Sequence, residues 1–380
     1  MQLESRESGT RFAKWTSARA ERPGSEGPVR LRRARTILAY WKNDRLVFEN
    51  YRTRVSITAD PLAARILDFF GRWRQPNDLI GEMPQYSPGS LRAALRQLSD
   101  SSLLVTENTQ EARQDEGVQK AWLHWLPHGS FHFATKDVHF IWGKSRAKLL
   151  KGYLKESAQP PFFKTYHNVP RVRLPRPSPG GGEFLRVLLA RKTHREFSAG
   201  KLPLSAISQL LFYTWGVMGY IPTPFGQLAH KTSPSGGARH PNEVYLAALK
   251  VNGLPAGLYH YNTRSHSLEC LRRGQMPESA VQYCAGNALV KDTAALFLMT
   301  AVFSRSMWKY RFARAYRVVL LDAGHLCQTF CLTATWLGLA PFCTAALNDG
   351  LIERDLGLDG TNESVLYVAA VGVPRAGLLH

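Results

Sequence analysis

Between Val318 and Leu339 the chain reads VVLLDAGHLCQTFCLTATWLGL, a helical stretch that is hydrophobic nearly all round. A helix of that kind has no face to give to water, so it is central to its domain or lies in a subunit interface. The segments around it supply apolar strands to pack against it. AALFLMTAVF, Ala294 to Phe303, reads as a fully buried strand, and VLYVAAVGV, Val365 to Val373, as another that ends at Pro374-Arg375. EVYLAALKVNGLPAGLYHYNTRSHSLECL alternates as two strands around Asn252-Gly253, the second opening at Gly257. With 380 residues, 44% of them hydrophobic, there is core material for two domains.

The upstream part divides by composition. Residues 1–30 mix Ser, Gly, Pro, Arg and Glu without apolar periodicity and are expected to be a disordered basic leader. Residues 31–107 carry a hairpin-like pair of strands around Lys42-Asn43-Asp44. A helix follows Asp60-Pro61, a short element lies near Asn77, a third helix follows Ser87-Pro88, and LLVTE is strand-like. Sheet plus three helices resembles a winged helix. Such a unit either reads a DNA groove, here through Arg92 and Arg96, or adds a peptide strand at its sheet edge. Two arginines are thin evidence for DNA, so the peptide reading is favoured over nucleic acid. Residues 108–182 are expected to be an acidic linker, an aromatic capping segment with four His residues, and a Pro-rich passage, VPRVRLPRPSPGGG; residues 183–380 form the second domain.

A formal charge of +20 points to an acidic partner, whether nucleic acid, an anionic surface or an acidic peptide, or else to no more than an Arg-rich composition spread across the chain. No apolar run reaches the ~20 residues of a membrane span, and the N-terminus has no apolar signal core, so a soluble cytoplasmic protein is expected. Five cysteines fit neither a disulfide framework nor the usual zinc spacings; Cys327 and Cys331 share a helical face, which buried packing explains, and no metal is expected.

Two polar stretches stand out in the second domain. In KTSPSGGARHPNEVY, Ser233, Pro234, Ser235 and Gly236-Gly237 leave backbone groups uncovered, so they can approach a flat polar ligand, with Arg239 and Glu243 as charge at the rim. A plain solvated turn has the same composition. At the junction after the helix FLRVLLA, Arg191, Lys192, Thr193 and Arg195 gather cations and a hydroxyl where a helix stops, an arrangement suited to a phosphate and equally to a charged helix end.

The order and spacing of RKTHREF, SPSGGARHPNEVY, GLYHY, WKYRFARAYR, LLDAGHLCQ and VLYVAAVGVP resemble the SagB-type branch of the nitroreductase-like flavoproteins, which includes thiazole- and oxazole-forming peptide dehydrogenases. The resemblance covers Phe184 to Arg375, with a weaker echo in FHFATK, Phe131 to Lys136. It implies an α+β fold with a mixed sheet flanked by helices, a homodimer with an intertwined core, and one FMN at each subunit interface. It makes Arg191, Lys192 and Thr193 phosphate contacts, Arg195 a donor to the flavin pyrimidine, and Arg375 a second phosphate candidate. Ser233, Pro234, Ser235 and Gly236 would line the ring, with a backbone N–H from Ala345 or Ala346 near N5. Lys309 and Tyr310 match the pair that azoline-oxidising members place as base; Arg305, Arg311 and Arg314 favour a neutral amine and an ionised phenol through charge. The implied activity is oxidation of a peptide-derived substrate, azoline to azole, in a ribosomally made precursor handled with partner maturation enzymes. The alternatives are an NAD(P)H-dependent nitroreductase-type reductase and a winged-helix nucleic-acid binder.

Overall fold

The computed structural model describes residues 28–137, 140–156, 182–223, 226–274 and 276–375. Nearly all of the expected basic leader, the Pro-rich passage up to residue 181, and His139 of the aromatic segment lie outside them.

The N-terminal unit runs β1 (Leu31–Arg33), β2 (Ile37–Lys42), β3 (Arg45–Asn50), β4 (Val55–Thr58), α1 (Pro61–Phe69), α2 (Pro76–Glu82), α3 (Pro88–Asp100) and β5 (Leu104–Thr106). The caps legible in the sequence begin its helices: Ala63 N–H donates to the Asp60 carboxylate and Ser90 N–H to the Ser87 hydroxyl, each followed by Pro in the first turn. Leu91, Leu95 and Leu98 of α3 pack on Ile66, Leu67 and Phe70. Strands β2, β3 and β4 form an antiparallel sheet, while β1 pairs with β5.

The acidic stretch expected to be a linker is instead a helix, α4 (Gln110–Trp122), capped by the Thr109 hydroxyl. Ala112, Val118 and Trp122 turn one face inward together with Asp115. The Asp115 carboxylate accepts from Arg32 Nη2 at 2.9 Å, from the N–H groups of Arg35 and Thr36, and from the Thr36 hydroxyl. Burying one charge alone is costly, but a carboxylate this fully bonded holds α4 onto β1. Its partners lie far upstream, so the local sequence looks solvated.

After α5 (Leu126–Ala134) and α6 (Gly143–Glu156) the second domain runs α7 (Glu183–Ala190), β6 (Phe197–Ser198), β7 (Leu202–Pro203), α8 (Leu204–Trp215), β8 (Gly219–Thr223), β9 (Gly226–His230), β10 (Asn242–Ala248), β11 (Val251–Asn252), β12 (Gly257–Asn262), β13 (Ser267–Arg273), α9 (Pro277–Tyr283), β14 (Ala295–Val302), α10 (Phe303–Lys309), α11 (Ala315–Trp336), β15 (Ala340–Thr344), α12 (Asp349–Leu356) and β16 (Glu363–Pro374). The stretch read as two strands holds three long ones, because Asn262 Oδ1 takes the N–H groups of Arg264 and Ser265 and reverses the chain once more before β13.

The large sheet has the order β13-β12-β10-β14-β16-β15, with β6 also on β16, and each of these pairings is antiparallel. Both faces are covered. Val244, Leu246, Phe297 and Met299 face α8 and α11, where the tilted rings of Phe297 and Phe330 meet with centroids 4.7 Å apart; Tyr245, Ala247, Leu296 and Leu298 face α9 and α12. Being covered twice, β14 shows no polar alternation.

Helix α11 lies across this sheet with Val319, Ala323, Leu326, Phe330 and Ala334 buried, and leaves Leu320, Leu321 and Trp336 exposed. By length and composition it is apolar enough to cross a membrane, which the sequence reading did not allow for. Its packed face and the bonded Asp322 within it are those of a core helix. The aromatic segment caps this region: Trp122, Trp125 and Phe133 pack with Phe303, Tyr316 and Val319.

Candidate functional site

The loop after β9 is a strained turn fixed by α11. Gly237 is left-handed (φ 62°), and so are Ala238 (φ 53°) and His240 (φ 43°), a conformation costing a residue with a Cβ about 1–2 kcal/mol. Side-chain bonds hold it there. Ser235 Oγ donates to Asp322 Oδ2 at 2.6 Å and accepts from His240 N–H at 2.9 Å; Gly236 N–H donates to Asp322 Oδ1 at 3.3 Å; Ser233 Oγ meets Thr329 Oγ1 at 2.7 Å. Asp322 and Thr329 are seven residues apart and therefore share one face of α11. Burial pushes the Asp322 carboxyl up from its ordinary range, with the bonds from Ser235 and Gly236 opposing that shift.

The loop is closed by the end of α10. Lys309 Nζ lies 3.5 Å from Gly237 O. A Cβ on Gly237 would overlap the Tyr310 hydroxyl and sit 2.8 Å from Lys309 Nζ; one on Gly236 would overlap Val318 of α11. Both glycines are thus required by close approach. The structure brings Ser233, Pro234, Ser235 and Gly236 into one wall and sets Lys309 and Tyr310 beside it, with Lys309 exposed and Tyr310 half-buried. Tyr310 O accepts from Trp125 Nε1 at 3.1 Å, so the capping segment fixes the turn that carries the pair.

A charged network steadies α10 from beneath. Arg305 pairs with Glu243 and donates to His240 O, while His260 bridges Glu243 (3.3 Å) and Glu269 (2.8 Å). Burial pushes Glu243 up, but the bond from His260 and the Arg305 charge outweigh it and hold the carboxyl below its usual range. The bond to Glu243 raises His260 to about 8, whereas burial and Lys231 lower His240 to about 4. Glu243 is therefore a bonded group in the sheet and not rim charge. Arg239 stacks on Trp308 at 4.8 Å.

The basic junction lies elsewhere on the domain. His194 N–H donates to Pro341 O at 2.9 Å, which places Arg191, Lys192, Thr193 and Arg195 beside the start of β15, whereas Ala345 and Ala346 follow its other end. Ala346 N–H donates to Thr344 Oγ1 at 3.0 Å, whereas Ala345 is exposed. Arg375 pairs with Glu196 at 2.8 Å on the surface. The Arg191 guanidinium acts on Cys331 and Cys343, and Cys331 is two residues from Thr329, about half a turn round α11. The loop and the junction thus flank α11 from opposite sides within one chain.

Sequence reasoning missed Asp322, Trp125 and the Glu243–His260–Arg305 network. For Asp322 a signal existed: a lone carboxylate inside an all-round apolar helix requires a bonding partner. Of the His residues in the capping segment, His132 packs among aromatic rings, whereas His124 is exposed. His132 sits between the Tyr316 hydroxyl and Gly360 O, and burial lowers it to about 3. A separate cavity of about 640 Å³ opens between the N-terminal unit and the second domain, where Arg52, Arg54, Arg113 and Lys136 outnumber Asp137 and Asp359 in the lining.

A sequence model described as the nitroreductase family matches residues 188–373. The trifolitoxin-processing protein TfxB of Rhizobium leguminosarum bv. trifolii is 28% identical over 325 residues, covering 80% of this chain and 86% of TfxB. The microcin B17-processing protein McbC of Escherichia coli is 29% identical over 178 residues, covering 45% of this chain and 62% of McbC. Among solved structures, a chain of the E. coli microcin synthetase McbBCD complex with truncated pro-MccB17 aligns with a TM-score of 0.44 at 24% identity, covering 62% of this chain and 84% of that one.

Proposed function

Because residues 188–373 are a nitroreductase-family domain, related to peptide-processing proteins of the SagB type, we propose that this chain is an FMN-dependent dehydrogenase acting on a peptide-derived substrate, oxidising an azoline to an azole. The observation that supports this reading is the contact of the strained Ser233–Gly237 loop with the Lys309 amine and the Tyr310 hydroxyl, a pair with the chemistry of a base.

The residues present fit the cofactor. Arg191, Lys192, Thr193 and Arg195 gather cations and a hydroxyl at the junction whose His194 N–H is bonded to Pro341 O, a donor set suited to a phosphate. Arg191, Lys192 and Thr193 would hold the phosphate, Arg195 the pyrimidine carbonyls, and Ser233, Pro234, Ser235 and Gly236 the ring face, with the Ala345 N–H near N5 and Ala346 bonded within its own turn. Arg375 would join the phosphate on leaving Glu196. When bound, FMN supplies a two-electron acceptor. The chain does the rest: Lys309, with Tyr310, takes the acidic proton beside the C=N and carbonyl, and the loop excludes water from that face.

Since loop and junction flank α11 from opposite sides, a homodimer in which each partner contributes one of them completes the site. The exposed Leu320, Leu321 and Trp336, together with Phe184 and Leu189 of α7, give that dimer its apolar surface. The N-terminal unit and the basic cavity would hold an acidic stretch of a precursor peptide, in the cytoplasm, after a partner enzyme has formed the ring.

The test is direct. Purified protein should be yellow, and an azoline-bearing peptide should lose two hydrogens by mass spectrometry. Lys309→Ala should retain FMN and lose turnover; unchanged turnover removes Lys309 from the reaction, and a protein that never binds FMN ends the proposal. Rapid flavin reduction by NADPH without any peptide would favour the reductase instead.

A further inference from the structure

Three thiols that are scattered in sequence converge inside the second domain. Cys327 and Cys331, one turn apart on α11, meet Cys343 of β15, and their sulfur atoms all lie within 4.8 Å of one another. Cys327 and Cys331 are buried, and Cys343 is half-buried. Helical spacing of the first two residues alone implies packing. The third changes the chemistry, because its surroundings are polar: the Tyr367 hydroxyl donates to Cys343 Sγ at 3.4 Å. The Arg191 guanidinium is close enough to act on both Cys331 and Cys343. A cysteine that merely fills core space has no need of a donor and a cation.

We propose that Cys327, Cys331 and Cys343 form a three-thiolate site for one soft monovalent metal ion, Cu(I), clamped between α11 and β15. Thiolates around an ion at a metal–sulfur distance of about 2.3 Å stand roughly 4 Å apart, so closing the site needs only a small contraction of the spacing present. A structural zinc site takes four ligands in a tetrahedron, while this group offers three and no His, Asp or Glu. Soft thiolates with an incomplete tetrahedron select Cu(I). Binding exchanges thiol protons for the ion, with no electron transferred; up to three protons leave, and the Arg191 charge offsets part of the negative charge left on the site. The three thiol ligands are none of the residues assigned to the flavin or to proton transfer, and Arg191, assigned to the flavin phosphate, is the one residue the two sites share.

The experiment titrates Cu(I) anaerobically into the reduced, full-length protein in competition with bathocuproine disulfonate, whose coloured complex reports the copper left over. One Cu(I) per chain should be withdrawn from the chelator, with a thiolate-to-copper absorption in the ultraviolet. Cys327→Ser and Cys331→Ser should each weaken binding by about tenfold or more. Failure to withdraw Cu(I), or variants that bind as the wild type does, overturns the site. A measurement on the unaltered protein guards against variants that fail to fold: Cu(I) should slow alkylation of Cys343 while leaving that of the exposed Cys270 unchanged. Equal Cys343 rates with and without Cu(I) also overturn it.

Discussion

Replacing Asp322 with Ala releases the loop from α11. The carboxylate takes the Ser235 hydroxyl at 2.6 Å and the Gly236 N–H at 3.3 Å. Bonds to a charged acceptor are worth about 1.5–3 kcal/mol, and each buried donor left unmet costs about 1–3 kcal/mol. Burial acts the other way: it raises the Asp322 pKa, so the stability this group contributes is full below its unfolded value near 3.8 and falls as pH rises through the folded value. At neutral pH the ionised group therefore returns part of what its hydrogen bonds supply. The net loss for Asp322→Ala is about 2 kcal/mol, whereas Asp322→Asn, which keeps one acceptor and buries no charge, loses about 1 kcal/mol or less. Because the loss falls on one loop, amide hydrogen exchange is the sensitive assay. A change of about 2 kcal/mol speeds exchange of the residue 233–240 amides roughly thirtyfold where opening is local. The melting temperature should fall by about 5 °C and FMN retention should drop. If loop exchange in Asp322→Ala stays within about twofold of the wild type, the carboxylate does not hold the loop and the reasoning fails.

Gly237→Ala combines a left-handed backbone, costing about 1–2 kcal/mol, with a methyl overlapping the Tyr310 hydroxyl; the protein should fold, melt lower and lose most turnover, and wild-type turnover would contradict the close approach. Trp125→Phe keeps the core filled but removes the donor to Tyr310 O, so a loss of about 1 kcal/mol in thermal unfolding is expected; an unchanged melting temperature would separate the capping segment from the turn. His260 has its pKa raised to about 8 by Glu243, so its contribution is full below pH 6.5 and is lost as pH rises through about 8. Because the ring is partly solvated, the loss should be on the order of 1 kcal/mol or less, and His260→Gln should abolish that pH dependence in denaturant unfolding; a variant with the wild-type profile would assign the titration elsewhere.

Short-range chemistry was legible in the chain. Asp60 and Ser87 announced the starts of α1 and α3, because a cap and its helix lie within three residues of each other. The fully buried β14 and the long α11 followed from unbroken apolar runs, and Gly236-Gly237 marked a place where backbone had to come close to something. What that something was, only the tertiary structure decided. Asp322 and Ser235 are 87 residues apart, and Asp115 reads as solvated acid until Arg32 and Thr36 are folded against it. Cys343 joins Cys327 and Cys331 only because β15 returns beside α11. Periodicity and capping record which face of an element is buried, since those forces act within a few residues. Which buried polar group meets which partner depends on chain closure over long separations, where a donor and its acceptor leave no shared local pattern.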